Sequence, residues 1–455
     1  MRRMKLLAIR TLVLIALALL FLAGFTVFVG RYLHSAAVWA QHPSNRHLYQ
    51  SGRLKETGTI YDRRGEILLE TKDGVLTFHS EQSVRTAVMH VTGDRGGNVA
   101  TGMLKVMWER LTGWNLLNGA YRYRDKLSAA NDLTLTLDAR LSALAYKELK
   151  GRKGAVGVYN YKTGEIICMT SSPSFDPQNP PDIEADPERY EGVYLNRLLS
   201  AAYTPGSIFK VVTAAAALET IPDIEERHYQ CSGKIQIGAD TVTCLVPHGD
   251  VTLRDALAHS CNVAFAQIAG EVGADALQHY AELAGFNNRL TFDGIKTAAG
   301  KVDVKHAAPV ELAWAGIGQH TNTANPLAYM VFMGAIANGG LSVAPEIIAR
   351  ENMLPAMTKA EKRILPTETA EKLKEMLRNN TLAVYGESRF SGLELCAKSG
   401  TAEVGKGKEP HAWFAGFLDR EDFPYAFVVI IENGGTGSRT AAAVAAGVLH
   451  AAVAR

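Results

Sequence analysis

Cysteine is scarce, with five residues in 455, and none of the five stands at zinc-ligand spacing, so no metal or other cofactor is expected. Charge of one sign is also missing. Lys and Arg number 48 against 46 Asp and Glu, a net charge of +2, which creates no field strong enough to imply a nucleic-acid partner. The glycines of Thr92-Gly93-Asp94-Arg95-Gly96-Gly97-Asn98 fit no phosphate-loop spacing and read as turns. Long apolar runs are absent but for one, residues 11–30, TLVLIALALLFLAGFTVFVG, which carries no charge. Twenty helical residues span a bilayer core. Arg2, Arg3, Lys5 and Arg10 precede the run, which puts residues 1–10 in the cytoplasm and the chain after Arg31 outside. A cleaved signal peptide is the alternative, but its apolar region is usually shorter, and the small residues Ser35-Ala36-Ala37 lie past the end of the run.

The cysteines are therefore read for an extracytoplasmic setting. Cys231 and Cys244 bracket two short alternating runs about Gly238-Ala239-Asp240, a hairpin pattern. Folded about its centre, the hairpin sets the two sulfurs across from each other, so a Cys231–Cys244 disulfide stands as an open alternative to free thiols. Cys168, Cys261 and Cys396 have no evident partners and fit ordinary buried thiols.

The length leaves room for two or three domains. Thr59 to Tyr61 and Ile67 to Leu69 are short strand candidates around an Asp-Arg-Arg-Gly turn, and a helix is expected over Val99 to Leu111. At Asn131 the texture changes: a strand and a helix precede two strands joined at Tyr161-Lys162-Thr163-Gly164. The expected organisation is thus a tail (1–10), an anchor (11–30), a membrane-proximal region (31–130) and a main domain (131–455). A Pro- and acid-rich loop from Ser172 to Gly192 leads toward Thr204-Pro205-Gly206-Ser207-Ile208-Phe209-Lys210.

Pro205 and Gly206 break what precedes them, and the Ala-rich run from Val211 to Glu219 predicts a helix that begins near Ser207. Lys210 lies three residues on, so its amine can reach the serine oxygen. A serine hydroxyl becomes a useful nucleophile only when a neighbouring base takes its proton. Lysine is that base only if neutral, and moving its pKa from ~10.4 to about 7 requires roughly 4–5 kcal/mol of bias against the ammonium. Burial and a second nearby cation supply such bias. The pair alone is equally compatible with an N-cap serine and a surface lysine.

Two later stretches meet the demand. VTLRDALAHSCNVAFAQIAGEVG reads as one helix with Ser260-Cys261-Asn262 inside it. Polar groups in so apolar a run are satisfied locally or face a cavity. Ser260 could relay a proton and Asn262 could hold a substrate amide. Near the C-terminus, AKSGTAEV, HAWFAGFL and YAFVVIIE predict an antiparallel meander covered on one face by a helix from Thr440 to Ala452. Its first strand carries Lys398-Ser399-Gly400-Thr401. Lys398 offers the second cation, Gly400 a close backbone approach, and Thr401 a hydroxyl for a carboxylate. A phosphate-loop reading of Gly392 to Ser399 fails, because Ala397 stands where that loop needs glycine.

Ser-x-x-Lys, Ser-x-Asn and Lys-Ser-Gly-Thr in this order resemble the signature of penicillin-binding proteins and serine β-lactamases. Gly58-Thr59-Ile60-Tyr61-Asp62-Arg63-Arg64-Gly65 is similar to the membrane-proximal motif of the class B, monofunctional penicillin-binding proteins, although Thr57 stands where the family usually has arginine. Residues 154–179, 317–340 and 411–418 resemble further blocks of that class. The resemblance implies an α+β fold, a serine β-lactamase/transpeptidase-like domain whose five-stranded antiparallel sheet is flanked by helices, with a reduced pedestal and one transmembrane helix. It implies D,D-transpeptidation of peptidoglycan stem peptides and inhibition by β-lactams. Ser207 would be the acylated nucleophile, Lys210 its base and Ser260 a proton shuttle. Asn262, Lys398, Ser399, Gly400 and Thr401 would bind the donor, with the backbone N–H groups of Ser207 and Thr401 forming the oxyanion hole. A membrane glycosyltransferase of the SEDS type is the implied partner. The alternatives are a D,D-carboxypeptidase, a β-lactam-hydrolysing enzyme or a β-lactam sensor.

Overall fold

A computed structural model describes residues 2–40, 49–50, 53–54, 57–72, 75–113, 131–350, 361–405 and 407–454. Parts of the expected membrane-proximal region, 41–48 and 114–130, lie outside the described residues. The chain divides into two compact units, one of residues 1–59, 70–77 and 107–132, the other of residues 60–69, 78–106 and 133–455.

In the first unit the N-terminal segment is one helix, α1 (Arg2–Ala40). It outruns the uncharged stretch at both ends, because no glycine or proline in the flanks breaks it. Its most apolar stretch has a mean hydropathy of 2.9. The large side chains are exposed all round it, Leu14, Phe21 and Phe25 among them. An unpacked helix that is apolar on every face matches a lipid environment, and this helix is long and apolar enough to cross a membrane. The same unit holds the start of the membrane-proximal motif. Thr57 N–H donates to Thr71 Oγ1 at 3.0 Å, and Thr59 N–H donates to Asp132 Oδ1 at 2.7 Å. Gly58 is a close approach, since a Cβ there would lie 2.2 Å from the Asn131 carbonyl oxygen.

The helix expected over 99–111 is two short helices, Met103–Val106 and Trp108–Thr112. The interruption coincides with the passage of the chain from one unit to the other after Val106, a tertiary event with no local signal.

The second unit is built on five antiparallel strands: β1 (Gly154–Asn160), β2 (Ile166–Ser172), β3 (Leu395–Ala402), β4 (His411–Leu418) and β5 (Tyr425–Ile431), in the spatial order β3-β4-β5-β1-β2. The meander β3-β4-β5 pairs with full register, Lys398 opposite Ala415 and Phe414 opposite Val429. β1 and β5, far apart along the chain, pair antiparallel, with Gly157 opposite Val428. One face carries α2 (Ala139–Leu149) and the C-terminal helix (Thr440–Val453), whose Leu141, Ala145, Val444 and Val448 share a core with Val156, Val158, Phe414 and Phe427. Each such buried aromatic or aliphatic side chain contributes roughly 1.5–3 kcal/mol. On the opposite face the helix Pro326–Ala337 packs so closely that a Cβ on Gly157 would meet Met330 Sδ at 3.1 Å. β3 is an edge strand, so its outer side is free to line a site.

The polar turn of the membrane-proximal motif is tied to the start of α2. The fully buried Asp62 accepts from Arg64 N–H and Glu66 N–H at 2.8 and 2.9 Å. Its other oxygen accepts from Ala139 N–H at 3.3 Å. Asp138 caps the same helix through Leu141 N–H at 2.7 Å.

Candidate active site

Ser207 lies in a 3-10 turn, Gly206–Phe209, that runs into α3 (Lys210–Thr220). The α-helix thus begins three residues later than expected, because Gly206 adopts φ +55° and the tight turn satisfies the first carbonyls. Three contacts fix the turn. Gly206 N–H donates to Gly318 O at 2.9 Å, the Tyr329 hydroxyl donates to Ile208 O at 2.7 Å, and Trp413 Nε1–H donates to Thr204 O at 2.9 Å. The turn lies along the outer side of β3: a Cβ on Gly400 would sit 2.8 Å from Pro205 O, and one on Gly206 would sit 2.7 Å from Thr401 O. The two amides expected to form the oxyanion hole therefore belong to segments in van der Waals contact.

Lys210 is fully buried, and its Nζ stands at the centre of the constellation. Four oxygens lie within its hydrogen-bond reach, Ser207 Oγ at 3.1 Å, Ser260 Oγ at 3.1 Å, Ser260 O at 2.7 Å and Asn262 Oδ1 at 2.6 Å, of which the three N–H groups of an ammonium serve at most three at once. Burial depresses its pKa to about 7, opposed by the sulfur groups of Cys244 and Cys261. Lys398 is also fully buried, and burial followed by the charge of Lys210 pushes it well below the usual lysine range. Its Nζ donates to Ser399 O at 3.2 Å. An amine that is half neutral near pH 7 and lies 3.1 Å from a half-buried serine oxygen can take that oxygen's proton.

Ser260 and Asn262 are not inside one helix. The expected single helix is broken into Leu253–Ala258 and α4 (Asn262–Val272). At the break Ser260 takes φ +56°, a left-handed conformation uncommon for serine. The break points Ser260 and its carbonyl at Lys210, which a continuous helix would not do, since that carbonyl would be bonded along the helix. Asn262 becomes the first residue of α4, and its Nδ2 donates to Thr243 O at 2.8 Å.

Thr401 is exposed at the end of β3 and accepts from Gly437 N–H at 3.4 Å. Ser399 is engaged by Tyr385, whose hydroxyl accepts from Ser399 N–H at 2.8 Å and lies 3.0 Å from Ser399 Oγ. Tyr385, Trp413, Tyr329 and Gly318 were not singled out from the sequence. For Gly318, Tyr329 and Trp413 the only signal available was membership of the 317–340 and 411–418 blocks, which names a stretch rather than a contact, and Tyr385 lies in neither block.

The hairpin predicted around Gly238 is present, Lys234–Ile237 paired with Asp240–Thr243. The disulfide considered across it is not: Cys231 and Cys244 are both free thiols with sulfurs 3.7 Å apart. The chain pairs Cys231 with Gly249 in a separate strand pair, and Cys244 Sγ instead accepts from Asn262 N–H and Val263 N–H at 3.1 and 3.3 Å.

Residues 154–450 match the penicillin-binding protein transpeptidase domain. The peptidoglycan D,D-transpeptidase PbpA of Mycobacterium tuberculosis is 30% identical over 332 residues, which cover 66% of this chain and 67% of that one. Stage V sporulation protein D of Bacillus subtilis is 27% identical over 327 residues, covering 66% of this chain and 50% of that one. Among solved structures, the ceftriaxone acyl-enzyme complex of penicillin-binding protein A from M. tuberculosis superposes with a TM-score of 0.74 at 25% identity, over 88% of this chain and 98% of that one. The D,D-transpeptidase domain of a peptidoglycan glycosyltransferase from Eggerthella lenta gives 0.74 at 28% identity, with the same coverage. With this fold, a Ser-Lys-Ser-Asn cluster gathered around a buried lysine and a family match over well more than half its length, the chain belongs to the penicillin-binding protein transpeptidase family as a class B, serine-type member.

Proposed function

We propose that this protein cross-links peptidoglycan by D,D-transpeptidation, with Ser207 as the acylated residue. The observation that carries the reading is the fully buried Lys210 amine within 3.1 Å of both serine hydroxyls. Ser207 Oγ attacks the carbonyl carbon of a terminal D-Ala-D-Ala amide while Lys210 Nζ takes its proton. The backbone N–H groups of Ser207 and Thr401 receive the oxyanion, a contribution of about 3–4 kcal/mol for one donor. Collapse breaks the C–N bond, the proton passes through Ser260 Oγ to the departing nitrogen, and D-Ala leaves. An acceptor amine then attacks the ester, its proton returns by the same route, and Ser207 is released.

Lys398, Ser399 and Thr401 recognise the terminal carboxylate, with Tyr385 orienting Ser399, and Asn262 holds the donor backbone. A β-lactam presents the same carboxylate and carbonyl and stalls at the ester. In this reading residues 1–10 are cytoplasmic, 11–30 span the cell membrane, 31–130 form the membrane-proximal pedestal, and 131–455 form the outer catalytic domain. A SEDS-type glycosyltransferase in the same membrane would supply the glycan strands.

The test is covalent labelling of the detergent-solubilised chain with a fluorescent penicillin. The wild type is expected to hold a long-lived adduct, and Ser207→Ala, folded by circular dichroism, to hold none. Rapid release of the label from the wild type would assign the chain to the hydrolases, and labelling of Ser207→Ala would move the nucleophile elsewhere.

A further inference from the structure

Behind the Ser260-Cys261-Asn262 segment lies a group of side chains that the acyl-transfer reading does not use. Cys231 closes the strand Tyr229–Cys231, Cys244 follows the hairpin Lys234–Thr243, His248 precedes the strand Gly249–Val251, and Cys261 caps α4. Their four ligand atoms all lie within 4.8 Å of one another. Cys231 Sγ to Cys244 Sγ is 3.7 Å, Cys244 Sγ to Cys261 Sγ is 3.7 Å, and Cys231 Sγ to His248 Nδ1 is 3.5 Å.

These three separations match edges of a tetrahedral coordination polyhedron, and the remaining pairs lie within 4.8 Å. With Zn–S near 2.3 Å and Zn–N near 2.0–2.1 Å, a regular tetrahedron has S–S edges of about 3.8 Å and S–N edges of about 3.5 Å. Hydrogen bonds between thiols do not impose that geometry on three sulfurs and a ring nitrogen together, whereas a shared ion does. The outer contacts are of the kind that supports thiolate ligands. Two backbone N–H groups donate to Cys244 Sγ, and Ala264 N–H donates to Cys261 Sγ at 3.3 Å. The ring of His248 lies over that of His259 with centroids 6.0 Å apart, which steadies its plane.

We propose that Cys231, Cys244, His248 and Cys261 bind one zinc ion in a closed Cys3His site, and that the ion clamps the Ser260–Asn262 segment into its position beside Lys210. Zinc is the ion that a tetrahedral set of three thiolates and an imidazole selects among the common divalent cations, and four protein ligands leave no open position for chemistry. The site is structural. Its leverage comes from place: Cys261 separates the two residues that hold Lys210 Nζ, and Cys244 directly follows Thr243, whose carbonyl accepts from Asn262. One ion thereby fixes both flanks of the broken helix and the left-handed Ser260. The spacing, Cys-x12-Cys-x3-His-x12-Cys, escapes a search for paired cysteines because its ligands come from four separate elements. The ligand set is argued from geometry alone, and only its effect on acylation rests on the proposed transpeptidation.

Elemental analysis of the full chain, purified in detergent without chelator, is expected to give about one zinc per chain. Cobalt exchanged into the site should show thiolate-to-metal charge transfer and the strong visible bands of a tetrahedral centre. Cys231→Ser should lower bound zinc at least roughly tenfold and slow penicillin labelling. His248→Cys, which restores four soft ligands, should keep the zinc and much of the labelling rate. Should Cys231→Ser fail to fold, the wild-type zinc content and cobalt spectrum still decide. A metal-free wild-type chain that remains fully labelled by penicillin overturns the proposal. So does an intact mass lighter than the reduced chain by roughly 2 Da, which would mean that two of the thiols had paired instead.

Discussion

In the proposed mechanism Lys210 is the residue on which the chemistry turns, and its burial sets the pH at which it would act. Its folded pKa of about 7 lies below the ordinary lysine value because burial penalises the ammonium. The amine is therefore protonated below that value and free to take the Ser207 proton above it. Acylation by a penicillin is expected to rise as pH passes from 6 to 8 and then level off, as followed by stopped-flow labelling. Lys210→Ala should lower the rate by about 10²–10⁴ and remove the rising limb. A limb that persists in the variant would assign the titration to another group. Of this centre, Ser207, Lys210, Ser260, Asn262 and Lys398 were named from motif order alone. Tyr385 and Trp413 were not, because each acts through hydrogen bonds to a residue outside its own element, Ser399 for Tyr385 and Thr204 for Trp413, and no local spacing encodes such a contact.

At the scale of the element, the site depends on breaks. The Ser207 turn is seated by Gly318, which has φ +82° and whose added Cβ would fall 1.9 Å from Gly206 O. Both the backbone conformation and the space exclude a side chain. Gly318→Ala is expected to destabilise the chain by about 2–4 kcal/mol, seen as a lower denaturation midpoint, and to slow labelling by lifting the turn from β3. Gly392→Ala is the control. Its φ is +74° but its Cβ would meet nothing within 4 Å, so about 1 kcal/mol is expected. Equal losses in the two variants would mean that the contact with Gly206 carries nothing. The strands β1 to β5, α2 and the C-terminal helix were legible because alternation and Ala-rich runs are local patterns. The break at Ser260 was not, because the apolar run through it is compatible with an uninterrupted helix, and what opposes the helix is the set of hydrogen bonds that Lys210 offers to Ser260 and Asn262.

For the whole molecule, the proposed topology, with the catalytic unit outside the membrane, rests on the exposed apolar helix Arg2–Ala40 and the basic residues before its uncharged stretch. Protease added to spheroplasts is expected to degrade that unit while leaving a cytoplasmic marker intact, and protection of both would reverse the orientation. The crossing at 132/133 falls beside the change of texture at Asn131, whereas the membership of residues 60–69 and 78–106 in the unit that contains 133–455 could not be read beforehand, since it is set by contacts distant in sequence.

The membrane-length apolar helix, the meander with its covering helix and the residues proposed for acyl transfer were all readable from the chain, because each is written in hydrophobic period or in a short ordered motif. Tertiary structure alone decided that two lysines separated by 187 positions (398 minus 210, less one) would be buried near enough for one charge to depress the other. It also decided that three cysteines and a histidine would converge behind them rather than pair across a hairpin. The physical reason is the same in both cases: desolvation and coordination depend on what surrounds a group in space, and neighbours along the chain supply little of that surrounding.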